Sequence, residues 1–172
     1  MIVSLFIVIT IAGGATIAYI TSVTPEIDNS FLPVYVDCRV VEEFTGTVKS
    51  NVSVENTGDI KAYVRAVFVV MWMADDGSVY GIPPTEGLDY NVVFGSDLWV
   101  LGSDGFYYYT LPVDPGVTTA AMIDSLTILA NPPEGHKLNV HVAATAIQAE
   151  PGDVVGDAWG ATVDSNGRLT AP

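Results

Sequence analysis

Closely spaced turn sequences divide most of this chain into short runs of β-branched and aromatic residues. The turns are Thr57-Gly58, Asp76-Gly77, Pro83-Pro84, Asp104-Gly105, Asp114-Pro115-Gly116 and residues 132–135. Gly, Pro, Asn and Asp favour turns because their backbones adopt, or their side chains stabilise, conformations that strands do not use. No segment shows a long amphipathic helix. This pattern predicts an all-β protein with an antiparallel, jelly-roll-type β-sandwich.

The strand candidates between these turns are spread along the chain, whose length of 172 residues corresponds to about one domain. They lie at residues 34–43, 45–54, 60–73, 79–82, 89–94, 106–111, 118–129 and 137–148.

The candidate at residues 60–73 carries an arginine inside an apolar run. Beyond Val67 both of its faces are apolar, which is typical of a strand that is covered on both sides. Arg65 therefore lies near the start of a covered strand, where a partly buried guanidinium needs a carboxylate. We expect a structural ion pair between Arg65 and Glu42 or Glu43 on a neighbouring strand, with no part in catalysis.

The first 20 residues carry no charge and are long enough to span a bilayer. Thr16-Ile17-Ala18 follows the apolar run and has small residues where a signal peptidase cleaves. We expect a signal peptide at residues 1–18, an extended arm at 19–33 and a β-sandwich domain at 34–172. Because no Lys or Arg precedes the apolar run, a retained membrane anchor is the alternative.

The charge of the chain excludes one large class of partner. Six Lys and Arg residues oppose 20 Asp and Glu residues, which gives a formal net charge of -14. Nucleic acid requires a basic face that this composition cannot form. Contact with a membrane is expected only through the N-terminal segment, if that segment is uncleaved.

Residues that carry catalytic or metal chemistry are sparse. Cys38 is the single cysteine, so we expect neither a disulfide nor a cysteine-rich metal cluster, and we expect its side chain to be buried in the first core strand. His136 and His141 are five apart on a strand and would point to opposite faces, so they would not share a metal. The chain has no nucleophile elbow or phosphate loop. We expect no enzyme activity, no metal and no cofactor.

Several segments together resemble the camelysin/TasA family of bacterial surface and biofilm-matrix proteins. The segments are GGATIAYITS at 13–22, DNSF at 28–31, SVENTGDIKAYVRAVFVVMW at 53–72, DGFYYYTLPVDPGVTT at 104–119 and LNVHVAATAIQAEPGDVVGDAWG at 138–160. The resemblance implies a secreted jelly-roll domain that polymerises into extracellular fibres by donating its N-terminal strand to the next subunit. The expected partner is the same chain, with an accessory matrix or anchor protein as a further candidate.

The composition of the arm fits this mechanism. Residues 19–33 are mostly polar and contain two prolines, and their apolar side chains can act as anchors on a neighbouring subunit. We expect the anchors to be Ile20, Val23, Ile27 and Phe31. An unpaired sheet edge is prone to aggregation unless something covers it, and an extended arm can cover it by strand addition.

Two other functions compete with fibre formation. The first is a membrane-anchored binding module at the cell surface, with tyrosines of the 104–110 stretch exposed to a glycan or a protein. A pilin-like filament subunit, whose N-terminal helix is retained, is a variant of it. The second is a metalloprotease or a glycosidase, which the scarcity of candidate ligands disfavours.

Overall fold

The computed structural model describes residues 35–46 and 48–172, and β-strands are the main regular secondary structure of this part of the chain. The strands are β1 (Cys38–Phe44), β2 (Val48–Asn56), β3 (Ala62–Ala74), β4 (Tyr90–Phe94), β5 (Trp99–Leu101), β6 (Tyr107–Tyr109), β7 (Ile123–Ile128), β8 (His136–Gln148), β9 (Thr162–Val163) and β10 (Leu169–Thr170). A short helix, α1 (Asp153–Trp159), follows β8.

The strands form two four-stranded sheets and a small hairpin. The first sheet has the order β1-β2-β7-β4, the second has the order β5-β6-β3-β8, and β9 pairs with β10. Every neighbouring pair is antiparallel. The expectation of an all-β fold with antiparallel sheets is therefore confirmed.

The main core lies between the two four-stranded sheets. Val52 and Val54 of β2, Val64 of β3, and Ile123 and Leu126 of β7 are each at most 1% exposed and belong to one cluster. Alternate residues of β2 and β3 supply this cluster, as expected when one face of a sheet packs against another sheet, whereas the two β7 residues are three apart. Each fully buried aliphatic side chain contributes about 1.5–3 kcal/mol to folding.

A second, smaller core lies on the outer face of the second sheet. There α1 and the β9–β10 hairpin cover one end of β3 and β6, and Tyr63, Tyr108 and Val155 are almost fully buried. The Tyr63 hydroxyl ties the hairpin to the sheet by donating to Gly167 O at 2.8 Å. The helix ends at Gly160, whose φ of 69° is the left-handed conformation that favours glycine.

The rest of that outer face is open. Val69, in the middle of β3, is 49% exposed, so the expectation that both faces of β3 are covered beyond Val67 is wrong. The reason is that α1 and the hairpin extend only over the end of β3 near Tyr63.

Other strand predictions differ from the structure in extent or in existence. The candidate at residues 79–82 is not a strand, and only Val79 forms an isolated bridge, with Met73. The candidate at 118–129 narrows to Ile123–Ile128, while Trp99–Leu101 is a strand that the sequence pattern did not predict.

Candidate assembly surface

In the described part of the chain, the two four-stranded sheets have four edges, formed by β1, β4, β5 and β8. β5 has only three residues, and β4 and β1 are each interrupted by a register shift. β8 instead has 13 residues and pairs with β3 along its whole length without a shift. Because a long, regular edge accepts further strands readily, β8 is the strongest candidate for strand addition among the described residues.

The backbone of β8 alternates between β3 and the free edge. Lys61 O accepts a hydrogen bond from Ala149 N at 2.9 Å, which assigns the odd-numbered residues to the pairing with β3. The even-numbered residues therefore direct their N–H and C=O groups away from β3. Val140 O follows this rule, because it accepts a hydrogen bond from Lys49 Nζ, which lies outside the second sheet, at 2.8 Å.

A cleft of about 350 Å³ opens beside the first half of β8. It lies between β8 and residues of the first sheet, and both sheets contribute to its wall. The apolar residues of this wall are Phe44, Leu126, Ile128, Leu138 and Val140. Phe44 is 64% exposed. The cleft therefore places apolar surface next to backbone groups of β8 that pair with no strand of the described residues, and an added strand needs both.

Lys49 crosses this cleft from β2. Its Nζ lies 2.8 Å from both carboxylate oxygens of Glu42 and 2.8 Å from Val140 O. The Lys49 side chain is 11% exposed, whereas that of Glu42 is 34% exposed. A largely buried lysine side chain thus joins the first sheet to the edge strand of the second.

Arg65 lies on the other side of the second sheet, at the smaller core. Its Cζ is 4.2 Å from the centre of the Phe106 ring and 4.8 Å from that of Trp159, so the guanidinium contacts the sheet side and the helix side together. Its Nη1 donates to the Tyr108 hydroxyl at 3.0 Å and to Asp104 Oδ2 at 3.3 Å. These contacts describe a structural cation that fastens α1 to the sheet.

The expected pairing of Arg65 with Glu42 or Glu43 is wrong. Arg65 pairs with Asp104, in the turn before β6, whereas Glu42 binds Lys49 and Glu43 accepts a hydrogen bond from Asn51 Nδ2 at 3.2 Å. The physical reason is topological. β1 belongs to the first sheet, while Arg65 lies on the outer face of the second.

Opposing effects act on the pKa of Asp104, which lies next to Arg65 and Tyr108. Burial raises the pKa of Asp104, but the hydrogen bonds from Tyr108 and from the Phe106 N–H, with the charge of Arg65, outweigh burial and lower it overall. The pKa of the Tyr108 phenol is raised, first by burial and then by Asp104. The carboxylate is therefore the charged member of the Tyr108–Asp104 pair at neutral pH.

The remaining predicted residues have separate surroundings. Cys38 is half-buried at the start of β1, and burial, followed by the charge of Asp37, raises the pKa of its thiol to about 11. Tyr108 and Tyr109 are buried, so they do not form an exposed tyrosine face. No group of three metal-ligating side chains occurs in the part of the chain that the structure describes.

The expected donor-strand anchors, Ile20, Val23, Ile27 and Phe31, lie outside the described residues. The sequence predicted the segment that became β8, but it did not identify Lys49 or the open edge. The only sequence signal for a long edge strand was the length of the candidate at residues 137–148. Strand length alone does not show which strands lie next to it.

No family model, curated protein or solved structure matches this chain. Within residues 35–46 and 48–172, no helix has the length and apolar character that crossing a membrane requires.

Proposed function

We propose that this protein is a secreted, non-catalytic subunit that self-assembles into extracellular fibres of a biofilm matrix, as its resemblance to the camelysin/TasA family implies. Each subunit donates residues 19–33 as a strand to the free edge of β8 in the next subunit. The observation that supports this proposal most strongly is the regular, 13-residue edge of β8 with an apolar cleft beside it.

The strand order supports a jelly roll with an open position beside β8. Jelly rolls nest antiparallel strand pairs along the chain, and successive pairs alternate between the two sheets. Here β3 pairs with β6 in the second sheet and β2 pairs with β7 in the first. The next pair outward would join β8 to the strand before β2, yet β1 pairs with β2 in the first sheet. A strand nearer the N-terminus than β1 therefore fits the open position.

The sequence of the arm suits this position. Val23, Ile27 and Phe31 are spaced by four residues, so in a strand they share one face and can enter the apolar cleft together. The arm contains Glu26 and Asp28 and no Lys or Arg. This charge is opposite in sign to that of Lys49, which lines the cleft, and of Lys137, in the first half of β8.

The test compares residues 19–172 with residues 34–172 by electron microscopy and light scattering. We expect the longer protein to form fibres, and the shorter one to unfold cooperatively as a monomer and to form none. Ile27→Asp and Phe31→Asp in the longer protein should slow assembly, because each places a charge in the apolar cleft. Thr24→Asp is the matched control, since it adds the same charge on the opposite face of the donated strand.

Normal polymerisation of residues 34–172 would show that strand donation by the arm is wrong. Equal slowing by Thr24→Asp and Ile27→Asp would show that charge alone, and not the anchoring face, controls assembly.

A further inference from the structure

One backbone acceptor on the free edge of β8 is already occupied within the subunit. Val140 O points away from β3 and accepts a hydrogen bond from Lys49 Nζ at 2.8 Å. In an added strand, a backbone N–H group would have to reach the same oxygen to continue the ladder. The Lys49 side chain also lines the cleft that an apolar anchor would enter. Lys49 and an incoming strand therefore compete for one place.

Glu42 holds Lys49 in this position. Both carboxylate oxygens lie 2.8 Å from the ammonium, and hydrogen bonds between charged groups are stronger than neutral ones. Because the Lys49 side chain is only 11% exposed, water and salt compete weakly for it. His141 is the other titratable residue that lines the cleft.

We propose that Lys49 is a gate that protects the edge of β8 in the unassembled subunit and must leave Val140 before a strand can bind. This inference rests on the proposed strand donation, and it adds a mechanism that controls when the edge of β8 can accept a strand. Charged residues protect exposed sheet edges in many proteins, and a lysine is well suited because its long stem can cover apolar surface while its head binds a carbonyl.

The gate opens without leaving a charge unpaired. Glu42 is 34% exposed, so the Lys49–Glu42 pair can move toward solvent as a unit while a backbone N–H replaces Lys49 at Val140 O. The incoming strand thus exchanges one hydrogen bond for another at this residue, and it gains the rest of the edge. Lys49 has to move before the strand can bind, so this movement adds to the free-energy barrier of strand binding. The gate therefore slows assembly more than it weakens the finished fibre.

The variant that tests the gate is Lys49→Met in the protein that carries the arm. Methionine keeps the apolar stem of lysine and cannot donate to Val140 O. Lys137→Met is the matched control, because it removes the same charge from the same region while its ammonium binds Asp75 and its side chain is 77% exposed. Lys49→Arg keeps a charged donor at the gate and should therefore restore slow assembly.

We expect Lys49→Met to shorten the lag before fibre growth about tenfold relative to the unaltered protein and to Lys137→Met, which corresponds to the loss of one charge-assisted hydrogen bond. Equal lag times for Lys49→Met and Lys137→Met would overturn the gate and leave strand donation standing. Monomers in all variants, including the unaltered protein, would overturn strand donation and the gate with it.

Amine acetylation followed by mass spectrometry gives a second measurement on the same samples. In unassembled subunits Lys49 should react at least about tenfold more slowly than Lys137, because its ammonium is shielded and bonded. In fibres the reaction of Lys49 should accelerate, since the donated strand has displaced it. An unchanged rate for Lys49 on assembly would overturn the gate.

Discussion

Arg65 shows how one cation can join elements that share no backbone hydrogen bonds. Its guanidinium contacts Phe106, the residue before β6, and Trp159 from α1, while Asp104 supplies the opposite charge. The sequence indicated that a guanidinium inside an apolar strand needs a carboxylate. The sequence could not identify Asp104 as the partner, because the partner depends on which face of β3 packs against α1.

We predict that Arg65→Met lowers the free energy of unfolding by about 2 kcal/mol, because it removes two aromatic contacts and leaves Asp104 without its cation. Chemical denaturation measures the change. Arg39→Met is the control, since Arg39 pairs with Glu55 and its side chain is 67% exposed. A surface pair of this kind contributes at most about 1 kcal/mol. Equal losses in the two variants would contradict the structural role of Arg65.

The same cluster makes part of the stability depend on pH. Folding lowers the pKa of Asp104, so its stabilising effect is complete above the unfolded value near 4 and is lost as pH falls through the folded value. We therefore expect the stability difference between the unaltered protein and Asp104→Asn to be constant above about pH 5 and to shrink below about pH 4. A difference that persists at about pH 2 would mean that the carboxylate charge is unimportant.

β8 is the element on which the proposed assembly depends. Its even-numbered residues combine core-facing side chains with outward backbone groups, and Ala144 is one of them. A proline at such an edge position removes a donor that β3 does not use.

We predict that Ala144→Pro in the protein with the arm abolishes fibre growth while the fold is retained, because an added strand loses a backbone bond and meets the proline ring. Light scattering measures growth, and circular dichroism measures folding. Leu101→Pro on β5 is the control at another edge, since Leu101 is 57% exposed and, by the alternation that the Leu98–Thr110 bond sets, its N–H points away from β6. Fibres from Ala144→Pro, or their loss in Leu101→Pro, would mean that β8 is not the acceptor.

The sequence predicted the long strands better than the short elements. β3 and β8 each have 13 residues, and their apolar runs between turn sequences are sufficient to mark them. α1 has seven residues and begins at Asp153 after a glycine, without a side-chain cap. Its one fully buried residue, Val155, is too little to show a helical period, so packing against the sheet determines this helix.

At the scale of the whole molecule, charge opposes the association that the edge of β8 favours. The formal net charge is -14, and cleavage after residue 18 would not change it because the first 20 residues carry no charge. Subunits therefore repel at long range, while the contacts between an arm and the cleft operate only at short range. Repulsion of this kind keeps an exposed edge soluble until conditions change.

We predict that raising sodium chloride from 10 to 150 mM accelerates fibre growth of residues 19–172 about tenfold. The Debye length falls from about 30 Å to about 8 Å, which screens repulsion between subunits but leaves contacts inside the cleft largely intact. Sucrose at matched osmolality is the control, since it favours burial without screening charge. The experiment is repeated with Lys49→Met, in which any effect of salt on the Lys49–Glu42 pair is absent. If growth slowed with salt in both proteins, attraction between the acidic arm and the basic residues near β8 would control the encounter, and the repulsion argument would be wrong.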